Sequence, residues 1–278
     1  MSGRTPGQVL AIGGGAVVAA VMVGIGGFKM VDVSGSTTTH NESTYTQPIR
    51  HIVVDSGAAS VIIEGTPDNK VTVDRTVTEL VHRARSRVDA VGDTLHLAGD
   101  CGGIPIARCT IQYKINVPSN VDISADAAVG RLSASKLDAN VSLHTDSGRV
   151  AAYDIHGGLS LSTGSGQVNV DGVSGGPVQL RADSGRINAW QVSAAQVDAQ
   201  TLSGSISLGF GATPTAVQAH ALSGSITVAV PRNDTVYQLD AGSDSSPAVR
   251  SVRSTNAAAP RHITAHTSSG RVVVEYAD

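Results

Sequence analysis

Ser147-Gly148-Arg149-Val150, Ser165-Gly166-Gln167-Val168 and Ser184-Gly185-Arg186-Ile187 are copies of one short unit: a small polar residue, glycine, one polar residue, and an apolar residue that opens an alternating strand. Four more copies stand at Val129-Gly130-Arg131-Leu132, Ser203-Gly204-Ser205-Ile206, Ser223-Gly224-Ser225-Ile226 and Ser269-Gly270-Arg271-Val272. From Gly130 to Gly224 the glycines are spaced by 18, 18, 19, 19 and 20 residues. Such a period is too short for a unit containing a helix and two strands, but it suits one coil made of two or three short strands. Each copy therefore reads as one rung of a β-solenoid. The recurring glycine marks a corner, where φ > 0 carries no Cβ penalty, and its serine neighbour can bond backbone groups there. Val150, Val168, Ile187, Ile206, Ile226 and Val272 then stack inward at about 4.8 Å per rung, while Arg149, Gln167 and Arg186 stack outward. Gly242 follows Gly224 by 18 residues in the degenerate Ala241-Gly242-Ser243. The longer step to Gly270 predicts a loop of about nine extra residues within 246–260.

Composition agrees. The chain has 31 glycines and 41% hydrophobic residues, yet only 3% aromatic and 15% charged residues, against roughly 25% charged in ordinary domains. A core of Val, Ile, Leu and Ala suits stacked strands better than a helical bundle. The net charge of −3 and the lack of a basic run exclude a nucleic-acid partner. Arg83, Arg85 and Arg87 alternate, which places them on one face of a strand guarding a solvated edge.

Working outward, residues 49–118 show period-two strands separated by turn signals, read as an antiparallel β cap that closes the near end of the solenoid of residues 119–278. Residues 9–28 form twenty uncharged positions, enough for one transmembrane helix in contact with membrane lipid. Ala16, Ala20 and Gly24 share one face of that helix, a small-residue stripe of the kind that lets helices associate. The positive-inside tendency puts residues 1–8 in the cytoplasm and the rest outside. Residues 29–48, rich in Ser and Thr, read as a linker or stalk. The only cysteines, Cys101 and Cys109, are expected to form a disulfide in that exterior setting, because too few further ligands lie nearby for zinc. The fold expectation is thus all-β: a single-stranded parallel β-helix with an antiparallel N-terminal cap, preceded by one transmembrane helix.

The Ser-Gly-x-apolar repeats, the cysteine pair before Tyr113, and Ile115-Asn116-Val117-Pro118-Ser119-Asn120-Val121 entering the first rung carry a resemblance. Over residues 49–278 the chain resembles a bacterial adhesin-like domain family of membrane-anchored envelope proteins, related to the cell-wall-stress proteins of the Lia type. The resemblance implies a β-solenoid and a surface role, and it brings no known active site.

Chemical motifs are sparse. Gly172-Val173-Ser174-Gly175-Gly176 matches the G-x-S-x-G nucleophile elbow, and Ser133-Ala134-Ser135-Lys136 matches S-x-x-K, but neither has the helix or companion motifs that its chemistry needs. His262 and His266 are four apart on a strand, which does not bring them together on a metal. Asp146 with Arg149, and Asp183 with Arg186, are expected to pair around successive corners. No catalytic, cofactor or metal residue is assigned. The expected function is an adhesin-like binding or structural module of the cell envelope whose partner is an envelope protein, a wall polymer or itself. The alternative is a carbohydrate-active β-helix enzyme on wall polysaccharide, for which Trp190, the sole tryptophan, offers a sugar-stacking ring. The strand Val272-Val273-Val274 near the chain end is expected to be an open edge that invites association, unless the 246–260 loop covers it.

Overall fold

The computed structural model describes residues 26–31, 37–79, 84–101, 109–255 and 258–277. Among them run nineteen strands of one sheet and no helix. In chain order the strands are β1 (Gly26–Val31), β2 (Thr37–Tyr45), β3 (His51–Thr66), β4 (Val71–Glu79), β5 (Arg85–Val91), β6 (Thr94–Asp100) and β7 (Cys109–Pro118), followed by β8 (Asp122–Leu137), β9 (Val141–Ile155), β10 (Leu159–Val173), β11 (Val178–Val192) and β12 (Gln196–Phe210). The last are β13 (Ala216–Ser223), β14 (Ile226–Val230), β15 (Tyr237–Ser243), β16 (Val249–Arg250), β17 (Ser254–Thr255), β18 (His262–Ser269) and β19 (Val272–Tyr276).

Strands β8 to β12 stack in parallel, one per rung, with each repeat glycine directly beside the next: Gly130 on Gly148, Gly148 on Gly166, Gly166 on Gly185, and Gly185 on Gly204. All seven repeat glycines have φ between 137° and 154°. A Cβ on Gly166 would lie 1.7 Å from the Gly148 carbonyl oxygen, and the same overlap recurs from Gly130 to Gly270. The corner therefore demands glycine twice, for its backbone angle and for its contact with the rung before it. A second bend follows in each of the four rungs β8 to β11, at Lys136, Asp154, Gly172 and Gln191, with φ of 50° to 70°. Growth of the repeat from 18 to 20 residues is absorbed in the turns at 174–177 and 211–215 and, between Gly185 and Gly204, in one extra residue of β11, so the corners stay in register.

The aliphatic ladder follows from this register. Leu132, Val150, Val168, Ile187, Ile206, Ile226 and Val272 are each at most 1% exposed, and Arg149 and Arg186 point outward. Beside the corner, Thr145, Thr163, Thr201 and Thr267 are buried in one inward column that they share with Ala127, Ala182 and Ala221. Thr267 donates to the Gly224 carbonyl at 3.0 Å.

The cap differs from expectation in a specific way. β3 is itself a full rung, paired in parallel with β8 on one side and with β6 and then β7 on the other. β6 and β7 are two halves of one outer rung, interrupted at 101–108 and joined by the Cys101–Cys109 disulfide. Only beyond that rung does pairing turn antiparallel, with β5 on β6 and with β4 on β7, followed by β2 and β1. β2 pairs residue for residue with β4, so residues 37–45, read from composition as an unstructured stalk, are strand; threonines and serines in alternation suit a half-exposed strand as well as a linker. Arg85 and Arg87 project into solvent from β5, which pairs only with β6, as the alternation implies; Arg83 lies outside the described residues. Most of the predicted membrane segment, including Ala16, Ala20 and Gly24, also lies outside them, and residues 26–28 open β1. Among the described residues no helix is long and apolar enough to cross a membrane.

The far end overturns two expectations. Gly242 is no corner: it pairs with His266 and lacks the positive φ of the others. The last strands in sequence are not the last in space. β18 and β19 insert between the β13–β14 rung and an outer layer of β15 and β16, so Val272 and Val274 are fully buried. β15 covers β18, and the 246–260 segment covers β19 through β16; an open parallel edge would leave a row of unpaired donors and acceptors. Hydroxyls of Ser243 and Ser246 donate to the Gly270 carbonyl at 2.7 and 2.8 Å, the contact that another glycine rung makes elsewhere.

Two mutant pairs test the register by chemical denaturation. Gly185→Ala should cost about 3 to 5 kcal/mol, from a backbone overlap added to positive-φ strain, whereas Gly92→Ala, at φ 62° with open space around its Cβ position, should cost about 1 kcal/mol. Ile187→Ala should cost about 2 to 4 kcal/mol and Arg186→Ala less than about 0.5 kcal/mol. Equal effects within either pair would place the side chains on the wrong face. Reducing the Cys101–Cys109 bond should remove about 2 to 3 kcal/mol in the chain-entropy account, measured as a lower denaturant midpoint.

Candidate functional site

The strand preceding each corner glycine turns a polar face outward, and its columns are set by the pleat. Val53, Ser124, Ser142, Ser160 and Gln179 share one column. Beside them Asp122 Oδ1 accepts from the Asn140 backbone N–H at 3.0 Å, and Asn140 Oδ1 accepts from the Gly158 N–H at 3.1 Å. Pro177 ends this side-chain ladder, having no N–H to donate. Together these rungs line a groove of about 540 Å³ that runs along the stack from Thr94 to Gln179. Its floor is the backbone at the strand starts, where Ile52, Ile123, Val141 and Leu159 turn their side chains into the core, and its rail offers one hydroxyl per rung at Ser124, Ser142 and Ser160. His51 Nδ1 stands 3.7 Å from Asp122 Oδ2 at its side.

A second outward column holds Asp126, His144, Ser162, Arg181, Gln200, His220 and His266. His144 bridges Ser162 Oγ at 2.7 Å and Asp146 at 3.3 Å, and the rings of His220 and His266 stack with centroids 6.3 Å apart. Histidine here serves as a surface link between rungs.

The sequence candidates fall in different places. Ser174 stands in the turn after β10, its N–H donating to the Ile155 carbonyl, and strand β11 follows it, so the elbow's strand-to-helix turn is absent. Lys136 Nζ lies 2.8 Å from Glu64 Oε1, and that hydrogen bond holds its ammonium above the ordinary lysine range while pulling the Glu64 carboxyl below its own. A base of the S-x-x-K kind needs the opposite shift. His262 and His266 are separated along β18, and His266 Nε2 meets Asp240 Oδ1 at 2.9 Å. The expected corner pairs do not form: Asp146 faces His144, and Arg186 Nε donates to Ser205 Oγ at 3.2 Å. Asp146 and Asp183 stand two rungs apart with Gly164 between them, so they do not converge. Among the described residues no group of three or more His, Cys, Asp or Glu is placed to hold a metal.

Sequence reasoning missed the groove, because its wall is assembled from residues separated by whole rungs. The serines at 124, 142 and 160 repeat with the period already found, a signal that was present and went unused.

A family model described as Toastrack DUF4097 matches residues 49–275. No curated protein matches the chain. Among solved structures, the chain is similar to a candidate adhesin from Parabacteroides merdae, at 13% identity over 86% of this chain and 96% of that one, with a TM-score of 0.34. It is also similar to a candidate adhesin from Bacteroides fragilis, at 16% identity over 86% and 97% with a TM-score of 0.29. A candidate cell adhesion protein from Clostridium sporogenes shows 10% identity over 86% and 100%, with a TM-score of 0.25.

Proposed function

We infer that this chain, which belongs to the Toastrack DUF4097 family, is an adhesin-like binding module of the cell envelope that holds an extended polymer along its solenoid axis. The observation that carries this reading is the groove from Thr94 to Gln179, which crosses six stacked strands and repeats the same hydroxyl on successive rungs. A groove with one polar contact per rung, about every 4.8 Å, suits a chain-like ligand better than a compact one. Its serine rail supplies hydrogen bonds without strongly preferring one charge. The Cys101–Cys109 disulfide supports an oxidising, extracytoplasmic location, and residues 9–28 are proposed as the single membrane anchor that holds the solenoid there.

The test is co-sedimentation of the full-length protein with isolated cell-wall polymer. A Ser142→Arg, Ser160→Arg double variant fills the groove from its rail and should lower the bound fraction several-fold while leaving the thermal midpoint unchanged. Binding that the variant leaves intact would remove the groove from the function. Release of soluble sugar from the polymer by the wild-type protein would replace a binding role with a hydrolytic one.

A further inference from the structure

The described aromatic residues divide sharply. Tyr45, Tyr113, Phe210 and Tyr237 are buried, and Tyr276 is engaged by Arg232 over its ring and by the Arg253 N–H at its hydroxyl. Only Tyr153, 44% exposed, and Trp190, 51% exposed, present large aromatic surfaces to solvent. They share one outward column on the strand that follows the corner glycine. Asp171 pairs with Tyr153 on one side and with Trp190 on the other, so a carboxylate stands between two aromatic positions whose backbones are about 10 Å apart.

The placement of Trp190 is built into the backbone. β11 carries one residue more than β12 between Ala189 and Val192, a bulge of the kind that re-aims a side chain. The next rung offers Gly209 at this point, where a Cβ would lie 2.6 Å from Trp190 Cε3. The indole therefore leans over a site cleared of any side chain, covering the buried Gly209 and keeping the rest of its surface in solvent. In the adjoining column Asn188 Nδ2 donates to Asn169 Oδ1 at 3.3 Å, setting an amide pair beside the carboxylate.

We propose that Tyr153, Asp171 and Trp190 form a carbohydrate-binding platform that takes an extended glycan laid along the stack. Aromatic faces receive the C–H faces of sugar rings, the carboxylate accepts from hydroxyls, and the flanking amides both accept and donate. The column runs along the stack, so an extended chain laid on it meets Tyr153, Asp171 and Trp190 in turn. This platform lies on the other leg of the rung from the groove, and the proposal does not rest on the groove being occupied.

Trp190 is the only tryptophan, so fluorescence excited selectively at tryptophan reports on this site alone. The full chain, in a non-glycosidic detergent, is titrated separately with the β-1,4-linked tetrasaccharides of N-acetylglucosamine and of glucose. A saturable shift of the emission with at least one sugar is expected. Tyr153→Ala should weaken that binding by about 3- to 10-fold, the range aromatic contacts supply, with Trp190 still reporting. Asp171→Ala should weaken it also, and the groove-filling Ser142→Arg, Ser160→Arg variant should leave the titration unchanged. Lack of a saturable response to either sugar would overturn the platform, as would a response that Tyr153→Ala and Asp171→Ala both leave intact or that the groove variant abolishes.

Discussion

The contact between one rung's corner glycine and the carbonyl of the glycine beneath it sets the rest of the structure. At Gly204 and Gly224 a Cβ would lie 1.6 Å from that oxygen, closer than any side chain can be accommodated by relaxation of its neighbours. Because the corner cannot shift along the chain, the pleat on either side is locked in phase from rung to rung. That phase decides which residue of every pair enters the aliphatic ladder and which enters an outward column. The first rung shows the limit of the rule. Ala59 occupies the corner register beside Gly130 and pairs on its other side with Ile111 of β7, so the column of glycines ends there.

Once the phase is locked, surface chemistry becomes columnar, and a solenoid can display the same group at a fixed interval without any loop to position it. The groove uses this with Ser124, Ser142 and Ser160, and the histidine links use it with His144, His220 and His266. Departures from strict repetition are then the informative places. The bulge at Trp190 and the bare backbone at Gly209 interrupt a column that is otherwise regular, and they do so where the largest side chain in the protein faces solvent. Regular positions account for stability, and the irregular one points to recognition.

Both ends of the stack are closed by a change in order. At the near end the chain lays down β3, passes outward to β6 and β7, and returns to the other face of β3 with β8. At the far end β15 and β16 are placed outside, and β18 with β19 fill the space left beneath them. In each case an aliphatic rung is covered before an edge is left to solvent, by antiparallel strands at one end and by the parallel strands β15 and β16 at the other.

The repeat Ser-Gly-x-apolar was enough to establish the parallel solenoid, the corner glycines and the inward ladder from Val150 to Val272, and the short spacing of the only two cysteines pointed to the pairing of Cys101 with Cys109, because each depends on residues whose spacing is local or periodic. The column that joins Tyr153, Asp171 and Trp190 was equally implicit in the period, but its meaning rested on the bulge, which no spacing announces. What only the tertiary structure decided was the order of rungs at the two ends, the strand character of residues 37–45, and the loss of corner status at Gly242. The physical reason is the same for all three. A strand carries donors and acceptors on both edges, so its own residues fix which face is buried but not which neighbour it pairs with, and that choice is made by whichever edge the rest of the chain leaves uncovered.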